Sequence, residues 1–143
     1  MIEVIKVEFS KEAMEPLFAI RDEVFVREQE VDPSIEYEFE EESQHFLATN
    51  NGSPVGTARW RRTKNGIKLE RFAVLKNMRS KGVGSALVSA ILKDISRSAE
   101  KGPLYLHSQV TACGLYAKHG FKPVGEQFLE ADIWHYKMVY DPS

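Results

Sequence analysis

The segment Val74-Leu75-Lys76-Asn77-Met78-Arg79-Ser80-Lys81-Gly82-Val83-Gly84-Ser85 has the residue types and spacing to hold an anion. An apolar run, Leu69 to Leu75, ends in a short basic turn, two glycines follow, and an amphipathic helical pattern begins. The first turn of a helix carries backbone N–H groups without partners inside the helix, and its dipole favours negative charge. Gly82 and Gly84 have no Cβ, so a bulky phosphate can come close to the main chain. Arg79 and Lys81 add positive charge, and Ser80, Val83 and Ser85 complete the turn. A diphosphate is the expected ligand. Other phosphate motifs fit poorly. Ser85 follows Gly84 where a P-loop needs lysine, and Leu87 stands where G-x-G-x-x-G needs its third glycine.

What fits is R-x-x-G-x-G, from Arg79, Gly82 and Gly84, directly after an apolar strand. This resembles the acetyl-CoA-binding motif of the GNAT acetyltransferase superfamily. Gln109-Val110-Thr111-Ala112-Cys113-Gly114-Leu115-Tyr116-Ala117-Lys118-His119-Gly120-Phe121 resembles the family's later motif, N-x-x-A-x-x-L-Y-x-x-x-G-F. The stretch from Arg21 to Gln29, and Val55 to Arg59 (V-G-T-A-R), resemble the small bacterial YjcF-like branch, so the resemblance spans nearly the whole chain. It implies an α+β GNAT fold, a mixed and mostly antiparallel sheet of about six to seven strands flanked by about four helices. It also implies acetyl-CoA as co-substrate, with direct attack by an amine in a ternary complex. The amides of residues 79–85 would hold the diphosphate. The main chain of Phe72, Ala73 and Val74 would pair with the pantetheine arm, and an N–H near that strand's end would polarise the thioester carbonyl. Tyr116 aligns with the tyrosine that protonates the departing sulfur. Gln109 stands where many members carry asparagine; both amides donate and accept, and glutamine reaches further.

Acetyl transfer to an amine requires the amine to lose a proton, the carbonyl oxygen to find donors, and the thiolate to gain a proton. Glu70 is the candidate base. Strand alternation sets Leu69, Arg71 and Ala73 on one side and Glu70, Phe72 and Val74 on the other. A carboxylate among apolar neighbours should have a raised pKa, suiting a base; alternatively Glu70 pairs with an arginine such as Arg59 or Arg71. His45, His107 and His135 are alternative bases or substrate contacts, although a lone histidine is more often structural. His119 falls at a helix end, where the dipole favours a cation. No histidine pair has H-x-x-x-H spacing, so no metal is expected. Cys113 reads as core packing. For the acceptor pocket the candidates are Arg21, Phe25, Glu28, His45, Arg59 and Trp60. Arg21, Phe25 and Glu28 stand at i, i+4 and i+7, so one helix face can present all three; the alternative is a surface ion pair flanking a core phenylalanine. A mixed acidic and basic lining suits a small polar amine, such as an aminosugar or amino-acid derivative. Other readings are an acyl-CoA-binding sensor without catalysis, and a transferase for another acyl group or a peptide N-terminus.

The elements that must position these residues follow from periodicity. Ile2 and Val4 open a first strand, and Ser10 caps a helix whose apolar side runs from Ala13 to Phe25. Glu36 to Glu42, with five glutamates, reads as a solvated acidic loop in preference to a site for a cationic substrate. Strands at 45–48, 54–62 and 67–75 are joined by turns at Asn50-Asn51-Gly52 and Lys64-Asn65-Gly66. The long helix keeps Val83, Leu87, Val88, Ile91, Leu92 and Ile95 on one face and stops at Gly102-Pro103. Leu104 to His107 is a buried strand, Thr111 caps the next helix, Gly120 ends it, and strands 122–129 and 133–140 close the chain. An exposed edge at these last strands could support a homodimer. At 143 residues with net charge -2, a single domain over residues 1–143 is expected, without a nucleic-acid-binding field. A single cysteine excludes an internal disulfide. With no membrane-length apolar run, a cytoplasmic location is expected and a membrane role is not.

Overall fold

The computed structural model describes residues 1–32 and 38–142. The strands are β1 (Ile2–Val7), β2 (Gln44–Asn50), β3 (Ser53–Thr63), β4 (Gly66–Val74), β5 (Leu104–Gln109), β6 (Phe121–Glu130) and β7 (Ile133–Tyr140). They form one sheet in the order β1-β2-β3-β4-β5-β7-β6, with only the β4–β5 pair parallel. The helices are α1 (Lys11–Arg21), a π-helical stretch (Asp22–Glu28), α2 (Val83–Arg97) and α3 (Cys113–Ala117), with single 3₁₀ turns at Lys76–Met78 and Val110–Ala112. The α+β class and the succession of elements along the chain expected from the sequence are both present. No helix among the described residues is long and apolar enough to cross a membrane.

One helix layer covers each face of the sheet. α2 buries Val83, Leu87, Val88, Ile91 and Ile95 against Phe46, Ala48, Ala58, Leu69, Leu106 and Met138. α1 buries Met14, Leu17 and Ile20 on the other face, with Val24, Phe25, Leu47 and Ala73. Each large side chain so removed from water contributes about 1.5–3 kcal/mol. Ser10 caps α1 as expected, its Oγ accepting from Ala13 N at 3.1 Å. The Asn50-Asn51-Gly52 turn has positive φ at Asn51 (51°) and Gly52 (87°), as a tight hairpin requires.

Three boundaries differ from expectation. α2 ends at Arg97, not at Gly102-Pro103, because the Ser98 hydroxyl donates to Ile95 O at 2.8 Å and takes up a terminal carbonyl. Thr111 is not a cap; it lies inside a 3₁₀ turn, and α3 begins after Ala112 without any side-chain cap. The expected continuous helix to Phe25 changes to π winding after Arg21. This wider turn dissolves the i, i+4, i+7 face.

The most consequential departure is in β4. Thr57 pairs with Ala73 but Arg59 pairs with Glu70, so β4 carries one residue more than β3 over this interval. Arg71 absorbs it with φ 59°. This is a β-bulge, and it reverses the alternation. Leu69 and Phe72 pack toward α2, whereas Ala73 packs toward α1. The expectation that Leu69 and Ala73 share a face is therefore corrected. β4 pairs with β5 only through Ile67–Leu69 and Leu104–Leu106. Beyond that point β5 continues beside β7, and the two parallel strands splay apart.

Candidate active site

The splay opens a cavity of about 750 Å³, walled by residues 68–74 of β4, the turn that follows, and Leu106, His107, Gln109 and Tyr116. At one end stands the N-terminus of α2. Gly82 precedes it at φ 88° and provides no side-chain cap, and a Cβ built there would meet nothing within 4 Å. The first-turn amides therefore face space that a ligand can use. Gly84 has another purpose: its Cβ would lie 2.9 Å from Leu115 Cδ2, so it lets α2 and α3 pack closely. Gly84→Ala should thus lower stability modestly, by about 1–3 kcal/mol as overpacking does; thermal denaturation measures it.

Arg79 is not free to meet an anion as expected. Its Nη1 and Nη2 donate to the Glu28 carboxylate at 2.6 and 2.7 Å, and its Nε donates to Val74 O at 3.0 Å. Hydrogen bonding to Arg79 holds the Glu28 carboxyl below its ordinary range. Glu28 thereby ties the π-helix to the turn and is not on the cavity wall. Ser80 (φ 63°), Val83 and Ser85 do line the cavity, and Ser85 Oγ lies 2.7 Å from His119 Nε2. Lys81 is exposed beside the turn. Tyr116 lines the opposite side, 6 % exposed, with Phe72 edge-on at 5.3 Å. Burial pushes its phenol pKa up, so the OH stays protonated at neutral pH. Gln109 Nε2 donates to Gln29 Oε1 at 2.9 Å, bridging the mouth of the splay.

Glu70 occupies the cleft floor, and its expected raised pKa is overturned. Arg59 Nε and Arg61 Nε donate to its Oε2 at 2.6 and 2.9 Å, and Lys68 Nζ is 3.4 Å from Oε1. Burial alone would raise the carboxyl. The charges of Arg59 and Arg71, the Arg61 hydrogen bond and Lys68 outweigh it and hold the pKa at about 2. Such a carboxylate is too weakly basic to take an ammonium proton. The arginine-pairing alternative, with Arg59, describes it. Because the folded pKa lies below the ordinary 4.5, the pair's stabilisation is complete above that value and is lost as pH falls from about 4.5 toward 2. About 3 kcal/mol is at stake. Glu70→Gln should flatten this part of the stability–pH curve, read by denaturant titration.

Three residues expected in the acceptor pocket lie beneath it. Arg21, His45 and Arg59 are each 1 % exposed, and none reaches a cavity wall. Arg59 Nη1 donates to Glu40 Oε1 at 3.0 Å, Arg21 Nη1 donates to Glu40 Oε2 at 3.1 Å, and His45 Nε2 lies 2.8 Å from Glu40 O. Burial lowers the His45 pKa, which keeps the ring neutral. Glu40 thus corrects the solvated-loop reading at its own position; Glu36 lies outside the described residues. Trp60 also leaves the pocket, as it packs in the core toward α2 and its Nε1 donates to Asp94 Oδ2 at 2.9 Å. Phe25 does line the cleft.

The pocket that does adjoin the cleft measures about 230 Å³ and draws on residues the sequence did not single out: Gln29, Phe39, Arg61, Lys68 and Glu130. Arg61 stacks on Phe39 with its Cζ 4.0 Å from the ring centroid. The signal for Lys68 was available, since it shares the strand face of Glu70; Glu130 needed the β6–β7 pairing.

Comparison with known proteins agrees with this geometry. The family model of the acetyltransferase (GNAT) domain matches residues 5–142. The uncharacterized N-acetyltransferase YjcF of Bacillus subtilis strain 168 is 39% identical over 134 residues, covering 92% of this chain and 95% of YjcF. The crystal structure of Escherichia coli ElaA superposes with a TM-score of 0.86 at 27% identity, covering 99% of this chain and 100% of ElaA. An acyl-CoA N-acyltransferase from Pseudomonas aeruginosa superposes at 0.83 with 25% identity, over 98% of this chain and 99% of that one. The splayed strands, the uncapped helix start and the matched sequence converge: this chain belongs to the GNAT family of N-acetyltransferases, enzymes of the acyltransferase class.

Proposed function

We propose that this chain moves an acetyl group from acetyl-CoA to the primary amine of a small polar acceptor, by direct attack with both substrates bound. The observation that carries the reading is the continuous cleft from Gly82 and the uncapped start of α2, past Phe72, Ala73 and Val74, to Tyr116 and the charged pocket. The residues present fit the cofactor: the amides of Val83, Gly84 and Ser85, with Lys81 beside them, suit a diphosphate. When bound, acetyl-CoA supplies an acyl group activated as a thioester. The β4 main chain would hold its arm, and Tyr116 would donate a proton to the leaving sulfur. The pocket's mixed charges, Arg61 and Lys68 against Glu70 and Glu130, support an acceptor that is itself polar.

Acetyl-CoA at a hundredfold excess over Kd should stabilise the protein by about 2.7 kcal/mol, raising Tm by about 5–10 °C. Gly82→Asp should lose most of that shift, because a carboxylate would occupy the anion's space. A full shift in Gly82→Asp, or none in wild type, would remove the cofactor site from this place. Thiol release with a panel of small amines tests the transfer; a shift without release would leave only a binding protein.

A further inference from the structure

With Glu70 held by cations, the acceptor's proton needs another destination. Three side chains from the last strands converge on the opposite wall. β5 sends Leu104 and Leu106 into the core. His107, one residue past the last β4–β5 pair, therefore stands on the other face, at the fork of the splay, and lines the larger cavity. Its Nδ1 is 3.0 Å from Glu130 Oε1. Glu130, at the end of β6, lines both cavities, as does His135 of β7. His135 Nε2 lies 3.8 Å from Glu130 Oε2, and its Nδ1 is 2.7 Å from Ile133 O. Phe128 supports both rings, edge-on to His107 at 5.0 Å and stacked on His135 at 5.9 Å.

The hydrogen-bond inventory fixes a tautomer. An ionised carboxylate only accepts, so the 3.0 Å contact requires His107 Nδ1 to carry the hydrogen. In the neutral ring the lone pair then resides on Nε2. Hydrogen bonding from His107, helped by the Lys68 charge nearby, outweighs burial and holds the Glu130 carboxyl below its ordinary range, which keeps it an acceptor. Lys137 stands opposite His107 in the β5–β7 pairing, and Lys68, Glu70 and Arg71 line the same cavity, with Arg61 on the wall of the smaller one.

We propose that His107 takes the proton from the acceptor's ammonium group, with Glu130 as the positioning residue that fixes its tautomer; this rests on the acetyltransferase reading above. The acceptor's N–H bond breaks, its electron pair stays on nitrogen, and the proton bonds to His107 Nε2, giving an imidazolium balanced by Glu130. The nitrogen pair then forms the C–N bond to the acyl carbon as the C–S bond breaks. Sulfur takes the proton of Tyr116, the second N–H proton restores the phenol, and His107 releases its proton to solvent.

The test compares thiol release from acetyl-CoA at neutral pH with two probe amines: ethanolamine, which is nearly all ammonium, and hydroxylamine, which is nearly all free base. His107→Asn should lose on the order of 10²-fold or more with ethanolamine, and much less with hydroxylamine. Glu130→Gln should share the pattern in weaker form, and Glu130→Asp should restore part of it. Equal losses with both amines, or none with ethanolamine, overturn the assignment. Side-chain ¹⁵N NMR of the free protein gives an independent reading: neutral His107 should carry its hydrogen on Nδ1 in wild type, and redistribute it in Glu130→Gln. Hydrogen on Nε2 in wild type removes the His107 role alone. Thiol release with neither amine, in protein that binds acetyl-CoA, removes the acetyltransferase reading and the proton acceptor with it.

Discussion

Arg59→Met should destabilise the protein by about 3–5 kcal/mol, the usual cost of removing one partner from a buried ion pair. The corresponding fall in Tm is on the order of 10 °C. Arg59 is 1 % exposed and joins two carboxylates, Glu70 in β4 and Glu40 in the loop before β2. Methionine fills similar volume but leaves both without their shared cation. Arg61 and Lys68 still face Glu70, and Arg21 still holds Glu40, which is why the loss should not exceed this range. Two controls separate charge from packing. Adding Glu70→Gln to Arg59→Met should recover part of the loss, a coupling that a double-mutant cycle measures. The gap between wild type and Arg59→Met should also narrow as pH falls from about 4.5 toward 2, where Glu70 itself protonates. A loss below about 1 kcal/mol would mean that the pair contributes no more than an exposed one.

The local patterns that a sequence displays well were those that single elements decide. The 3.6-residue spacing of Val83, Leu87, Val88, Ile91 and Ile95 declared α2 and its buried face. Asn51-Gly52 declared the first hairpin, because both positions need positive φ. The bulge in β4 had no such marker. Arg71 takes φ 59° although neither glycine nor asparagine stands there, so nothing local announced that alternation would reverse. The π winding after Arg21 was hidden for a similar reason, since Asp22 to Glu28 reads as ordinary helix.

The site was legible in proportion to its dependence on the main chain. The turn from Arg79 to Ser85 and the position of Tyr116 could be placed from motif residues. Charge was not legible, because it is a property of pairing. Glu70 is strongly acidic because the β3–β4 register sets Arg59 opposite it and the hairpin brings Arg61 to one carboxylate oxygen and Lys68 to the other. Arg21 and Arg59 read as pocket residues by type, yet Glu40 draws both into the interior. The glycines divide the same way: Gly82 serves the turn, and Gly84 makes room for Leu115, a residue of another helix.

Tyr116→Phe should lower turnover by about 10²–10⁴-fold, the span of general acid–base assistance, or roughly 3–5 kcal/mol of activation free energy. Acetyl-CoA affinity should stay nearly intact. The substitution is a clean probe because the ring's neighbours are apolar: Phe72 meets it edge-on at 5.3 Å and Phe121 at 6.4 Å, and phenylalanine keeps both contacts. Stability should therefore change little, and any rate loss belongs to the hydroxyl. Burial holds that hydroxyl protonated, so it is a donor throughout the neutral range. The same dry wall penalises a naked thiolate, so the proton has reason to pass as the C–S bond breaks. The loss should shrink for an acyl donor whose leaving thiol is more acidic, since such a sulfur departs without help. Turnover equal to wild type at saturating substrates, or a loss that ignores leaving-group acidity, would take Tyr116 out of the chemistry and leave it as packing between β4 and β6.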